Sequence, residues 1–150
     1  MVFFVTIGAG LIALVLHVLR VPLFGDIVSV PVTALIAMCL VGVSGRLSPR
    51  TRRLLTAIVP RSIPNPGFVV WASAACELAA AIGLLVPVLR PWAAGALGIF
   101  LIAVFPANVR AAHLQGDRDG SFGRRLVVRG GEQVVFVALC VWALVASVAG

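Results

Sequence analysis

The chain has 150 residues, of which 61% are hydrophobic and only 11% are charged, and its mean hydropathy is +1.14. A soluble domain has about 45–50% apolar and about 25% charged residues, so a water-soluble fold of this length could not bury so much apolar surface. The twelve basic residues are all arginine and give a net charge of +7, but no basic stripe carries the interleaved aromatic residues typical of nucleic-acid binding. The composition therefore predicts an integral membrane protein with no nucleic-acid partner.

Five apolar runs approach the roughly 20 residues that a membrane-spanning helix needs. The first, residues 2–19, has no basic segment before it and no small-residue cleavage site after it, so we interpret it as a retained membrane helix and not as a signal peptide. The other runs are residues 27–44, 67–87, 92–108 and 133–149. The sequence predicts an all-α, polytopic membrane helix bundle with five spans, in a single membrane domain covering residues 1–150.

The segment 48–59, between the second and third spans, predicts a short helix that lies in the headgroup region. Ser48-Pro49 is a favourable helix start, because proline is tolerated at the first helical position. Apolar residues then recur at helical spacing on one side, and the other side carries Arg50, Arg52 and Arg53. A solvated basic loop is the alternative interpretation.

The arginines are concentrated in two of the four connecting segments. Five lie between the second and third spans and five between the fourth and fifth, whereas the other two segments have one each. With five spans both Arg-rich segments lie on one side, which the positive-inside rule assigns to the cytoplasm. We therefore predict a cell-membrane protein with a cytoplasmic N-terminus and an external C-terminus. Its arginines, including Arg110, Arg124 and Arg125, are expected to contact anionic lipid headgroups.

One acidic residue, Glu77, lies at the middle of the third span. An ionised acid at that depth costs about 2.5–3.5 kcal/mol on insertion scales. The face around Glu77 is mostly small and includes Ser73 one turn away, so we expect Glu77 to point at another helix and not at lipid. Since no cation is expected at this depth, we predict a largely protonated side chain that donates a hydrogen bond to a neighbouring helix. Two roles stay open: a tie between helices, or a proton relay or carbonyl-binding group for a quinone-like ligand.

Asn108 is the second polar candidate within the membrane. It follows Pro106, which leaves the carbonyl of Ile102 without its intrahelical partner, and an asparagine can satisfy such a group. The two histidines and three cysteines show no metal-ligand spacing, and no nucleophile triad, P-loop or dinucleotide fingerprint is present. The sequence therefore predicts no metal and no resident cofactor, with a quinone as the ligand to consider.

Several features lie in a fixed order between Ile58 and Ala112. A proline-rich segment, 58–66, precedes a helix with a central Glu77 and then Gly-Leu-Leu; a charged turn and a helix ending in Phe-Pro-Ala-Asn at 105–108 follow. This pattern resembles the DoxX-like membrane proteins over about residues 38–145. The resemblance implies a four-helix core, with residues 2–19 as an added N-terminal helix, and an Arg129–Gln133 pair at the start of the last helix. The chain departs from the family at 44–46, where many members have an Asn-His-Phe-like step and this chain has Ser-Gly-Arg.

The resemblance also bears on function. Some relatives are subunits of a thiosulfate:quinone oxidoreductase, and others look like membrane partners of redox-defence enzymes. We therefore expect a non-catalytic accessory or scaffold subunit of a redox-related membrane complex, with protein partners or a homo-oligomer. The alternative is a quinone-interacting subunit of a membrane oxidoreductase, with Glu77 near the ring. A small proton-coupled transporter has less support, because one intramembrane acid makes a poor pathway.

Overall fold

The structure is a computed structural model that describes residues 28–60, 62–116 and 122–149. These residues contain no strand, and they form α1 (Ser29–Leu47), α2 (Pro49–Ile58), α3 (Pro66–Leu85), α4 (Arg90–Gly116) and α5 (Phe122–Ala149). The all-α class is thereby confirmed for the described residues. The predicted span at residues 2–19 lies outside them.

Helices α1, α3, α4 and α5 are each long and apolar enough to cross a membrane. They match the predicted spans at 27–44, 67–87, 92–108 and 133–149, but α4 and α5 run several residues farther. The spans were predicted from apolar residues alone, whereas a helix continues through polar residues because its hydrogen bonds join backbone groups. The protein is therefore a membrane protein with four candidate spanning helices in the described region.

Two predicted placements were wrong for this reason. Five arginines assigned to the two Arg-rich connecting segments lie on spanning helices: Arg46 in α1, Arg110 in α4, and Arg124, Arg125 and Arg129 in α5. Arg129 and Gln133, expected at the start of the last helix, lie about two and three turns inside α5. Hydropathy marks where a helix becomes apolar, and that point differs from where the helix begins.

The bundle is built from neighbouring helices packed in pairs. Helices α4 and α5 form a long hairpin, α3 packs against α1 and α4, and α1 also contacts α5. The core of this arrangement is apolar and includes the buried side chains of Leu35, Leu84 and Leu97. Helices α3 and α4 approach each other closely at Gly83, where an added Cβ would lie 2.8 Å from the Cβ of Ala93.

The segment 48–59 contains the predicted short helix as α2, with Ser48 before it and Pro49 at its first position. None of its residues is buried. The guanidinium carbon of Arg52 lies 5.7 Å from the ring centroid of Trp71, a cation–π contact that joins α2 to α3. The helix is thus confirmed, and its position in the headgroup region stays a prediction.

Helix α3 begins at a defined cap. Asn65 has a left-handed backbone (φ 58°), and its side chain accepts a hydrogen bond from the N–H of Phe68 at 3.3 Å. At the other end of α3, Arg90 Nε donates to the carbonyl of Leu84 at 3.1 Å. These contacts satisfy groups that a helix end leaves without partners, and they fix the length of the helix that carries Glu77.

Candidate functional site

A cavity of about 360 Å³ lies among all five described helices, in the half of the bundle where α1 ends and α3 begins. Its walls are mostly apolar. The polar side chains that line it include Arg46, Ser73, Glu77, Asn108, Arg129, Glu132 and Gln133. The structure therefore brings together five of the residues singled out in the sequence and adds Arg46 and Glu132.

Arg46 and Glu77 form a two-point ion pair in this cavity. Arg46 Nη1 donates to Glu77 Oε2 at 2.7 Å, and Arg46 Nη2 donates to Glu77 Oε1 at 2.8 Å. The pair is well buried, since each side chain is only 11% exposed. This is the parallel arrangement of a guanidinium and a carboxylate, which is among the stronger protein hydrogen-bonded pairs. It joins α1 to α3.

The expectation that Glu77 donates a hydrogen bond was wrong, because both of its carboxylate oxygens accept bonds from Arg46. The expectation that it faces other helices is confirmed, since Glu77 is only 9% exposed and shares its buried face with Val70, Ala74, Ala80 and Ala81. Arg46 was overlooked as a partner because it was counted as a headgroup arginine at the end of a span.

Gly42 makes room for this ion pair. It lies one turn before Arg46 on α1, and a Cβ at Gly42 would lie 2.5 Å from Glu77 Oε2 and 3.3 Å from Arg46 Nη1. The carboxylate of Glu77 therefore packs directly against the backbone of α1. A glycine four residues before the arginine was the sequence signal that could have identified this contact.

A cavity exists here because α3 extends farther than α1 at this end of the bundle. Gly42 and Glu77 are side by side, yet α1 ends five residues after Gly42 whereas α3 begins eleven residues before Glu77. At 1.5 Å per residue, and for roughly parallel axes, α3 extends about 9 Å farther than α1. Helix α2 lies beyond the end of α1, beside the longer α3. It lines the cavity through Thr51, Leu55 and Ile58.

A second polar group joins α4 and α5. Asn108 Nδ2 donates to Gln133 Oε1 at 2.9 Å, and Gln133 Nε2 donates to the carbonyl of Leu101. Gln133 is only 8% exposed. Asn108 therefore reaches the neighbouring helix, and Gln133 binds the carbonyl next to that of Ile102, which Pro106 deprives of its helical donor.

The remaining basic residues lie elsewhere. The residues that line the cavity do not include Arg50, Arg52, Arg53, Arg110, Arg124 or Arg125. Of these, Arg50, Arg53 and Arg124 are exposed. The cavity thus holds Arg46 and Arg129, whereas Arg50, Arg53 and Arg124 lie on the outer surface of the same end of the bundle.

The polar side chains of the cavity supply hydrogen-bond donors and acceptors, and they include one buried donor without a partner in the described part of the chain. Among the described residues, no group of three or more His, Cys, Asp or Glu side chains could hold a metal ion. Arg46 Nε is buried and has no hydrogen-bond partner in the described protein. Such a donor is uncommon in native structures and costs about 1–3 kcal/mol, so the polar part of the cavity is incompletely satisfied by the protein alone.

A family model described as "Domain of unknown function (DUF8561)" matches residues 35–147, a range that reaches all five described helices. No curated protein and no solved structure matches the chain.

Proposed function

Since the chain belongs to the DUF8561 family, whose function is unknown, we propose a function from the site itself. The protein is a membrane-embedded accessory protein that binds an amphipathic small molecule in the cavity beside the Arg46–Glu77 pair. The observation that carries this proposal is the convergence of polar side chains from four spanning helices on one cavity.

The size and lining of the cavity support the proposal. Small-molecule sites have volumes of about 300–1,000 Å³ and mostly apolar walls with a few placed polar groups. The cavity, at about 360 Å³, lies within this range, and its apolar wall includes Phe100, Val104 and Phe136. A ligand with an apolar body and a small polar head would match this distribution.

The other half of the bundle favours binding over transport. There the described helices meet through closely packed apolar side chains, among them Leu35, Leu84, Leu97 and Ala94, each at most 1% exposed. No polar pathway continues from Glu77 through these residues. A cavity on one side of an apolar core suits a molecule that enters and leaves by the same side, and a proton-coupled transporter would need a route through that core.

The wider role follows from the resemblance to DoxX-like proteins. We propose that the protein acts as an accessory subunit of a redox-related complex in the cell membrane. The end of the bundle that carries Arg50, Arg53 and Arg124, here called the Arg-rich end, lies in the cytoplasm. In this setting a quinone is the ligand to test first, because it combines an apolar body with hydrogen-bond-accepting carbonyls. Partners would bind at the Arg-rich end or along the spanning helices.

A cavity-filling variant tests the binding site. Ala107 lines the cavity, whereas Ala103 lies one turn earlier on α4 and is exposed. Ala107→Trp should abolish the stabilisation by a short-chain ubiquinone, decanol or decanoate that the wild-type protein shows in thermal unfolding in mild detergent. Ala103→Trp is the matched control and should retain it, because ligand binding raises the unfolding midpoint only where the site is intact. If no probe stabilises the wild type more than Ala107→Trp, the proposed function is wrong.

A purely structural role for Glu77 is the second candidate, favoured by its two hydrogen bonds to Arg46 on a different helix. The accessory role in a redox-related complex has its own test, which is purification from native membranes in mild detergent. A stable partner with a flavin or metal centre would support the redox role, and a chain that purifies alone under every mild condition would contradict it.

The orientation is tested by cysteine labelling. With Cys39, Cys76 and Cys140 replaced by alanine, His113→Cys at the Arg-rich end should react only with a reagent that enters the cytoplasm. Leu89→Cys, in the turn between α3 and α4, should react from outside. The opposite pattern would reverse the proposed topology.

A further inference from the structure

We infer that the cavity selects amphiphiles with an uncharged polar head and discriminates against anionic ones. The inference rests on the proposed function and specifies the chemical class of its ligand. It goes against the simplest expectation from the net charge of +7, which would favour an anionic head.

The charges that line the cavity balance. Among the described lining residues, Arg46 and Arg129 are matched by Glu77 and Glu132, and the remaining polar side chains there are neutral. The cavity therefore has no net formal charge, in contrast to the chain as a whole.

The arginines in the cavity are also engaged, except at Arg46 Nε, which has no hydrogen-bond partner in the described protein. Both terminal nitrogens of Arg46 donate to the Glu77 carboxylate, and Arg129 takes part in an interaction of its own. An anionic head would lose its hydration on entering and would meet the carboxylates as well as the arginines. Such a burial costs several kcal/mol unless a well-placed partner compensates. An uncharged carbonyl or hydroxyl avoids this cost and can form hydrogen bonds with amide groups such as Asn108.

Three arginines outside the cavity lie where anionic lipid can reach them. Arg50, Arg53 and Arg124 are exposed and are absent from the cavity lining. Anionic headgroups are thus attracted to the outer surface of this end, while the balanced interior favours a different class of molecule. The two sets of arginines separate lipid binding from ligand binding.

The test compares three probes with ten-carbon tails: a short-chain ubiquinone, decanol and decanoate, at about pH 9, where the carboxylic acid is ionised. The shift in unfolding midpoint is measured at a fixed ratio of probe to detergent. The uncharged probes should raise the unfolding midpoint of the wild type but not that of Ala107→Trp. The apparent affinity of the wild type for decanoate should be at least about tenfold lower than that for the uncharged probes.

A second measurement looks for variants that bind decanoate more tightly than the wild type does. Glu132→Gln leaves the cavity with one uncompensated positive charge, so it should raise the apparent affinity for decanoate relative to that for decanol by about tenfold. Arg124→Gln, which changes an exposed charge, is the control and should alter neither. Glu77→Gln should likewise raise the apparent affinity for decanoate.

These outcomes distinguish a failure of the proposed binding function from a failure of the charge selection. If no probe binds at the cavity, the proposed function fails and the inference fails with it. If decanoate binds the wild type as well as the uncharged probes do, or if neither glutamate variant gains decanoate affinity, the charge-selection inference is overturned and the proposed function stands.

Discussion

Gly42→Ala is expected to destabilise the protein although it adds only one methyl group to a helix. The new Cβ would lie 2.5 Å from Glu77 Oε2, whereas ordinary contacts begin at 3.4 Å, so the carboxylate must retreat by about 0.9 Å. That movement breaks at least one of the two bonds of 2.7 and 2.8 Å to Arg46. A hydrogen bond between charged groups contributes about 1.5–3 kcal/mol, and alanine regains up to about 1 kcal/mol of helix propensity. The net loss should be about 1–2 kcal/mol.

Gly45→Ala is the matched control on the same helix. The nearest atom to a Cβ at Gly45 is Thr51 Cγ2 at 3.8 Å, an ordinary contact. This substitution should be neutral or stabilising by up to about 1 kcal/mol, because only the propensity difference remains. The two glycines therefore separate a general effect on α1 from a specific effect on the ion pair.

The assay is reversible unfolding in mixed micelles, followed by far-ultraviolet circular dichroism, in a double-mutant cycle with Glu77→Ala. Removing the carboxylate should itself cost about 3–5 kcal/mol, because it leaves Arg46 charged and buried. In that background Gly42→Ala should no longer be destabilising, since the atom it displaces is gone. Equal effects of Gly42→Ala and Gly45→Ala, or a Gly42→Ala penalty that persists without Glu77, would refute the described packing of the pair.

Two further substitutions probe the helix contacts. Gln133→Leu should lower the free energy of unfolding by about 1–3 kcal/mol in the same assay, because it leaves the Leu101 carbonyl without its bond from α5; an unchanged value would contradict that bond. Gly83→Ala should cost about 1–3 kcal/mol through overpacking against Ala93, and Ala93→Gly should restore part of the loss. Gly98→Ala, where the nearest atom is 3.4 Å away, should cost less than Gly83→Ala does.

The sequence predicted those features that depend on a local repeating pattern. Apolar runs located the four spanning helices, Ser48-Pro49 located α2, and the small residues around Glu77 identified the face that packs against other helices. Each of these depends on neighbours within a few turns of one helix. The composition of a span does not show where its polar ends stop, and α4 and α5 were predicted too short for that reason.

The partner of Glu77 could not be found from such patterns. Arg46 is 31 positions away along the chain. Whether it lies level with Glu77 depends on how far α3 extends beyond the end of α1. Counting arginines by connecting segment treats each one as lying at the membrane surface, but a guanidinium on a long flexible stem can reach back into the bundle. The pairing of Asn108 with Gln133 was missed for a related reason, because Gln133 was assigned to a helix end and lies within α5.

The unequal helix lengths make the protein sensitive to the thickness of the bilayer. Helix α3 has 20 residues and is about 30 Å long, which matches a typical hydrocarbon core, whereas α4 has 27 residues and is about 40 Å long. Because residues 86–89 join these helices in a short turn, the excess length of α4 projects beyond α3 at the Arg-rich end. A thicker membrane would draw that projecting part of α4 and α5 toward the hydrocarbon, at a fraction of a kcal/mol per Å. Lipid chain length would then act on the rim of the cavity directly, with no ligand or partner involved.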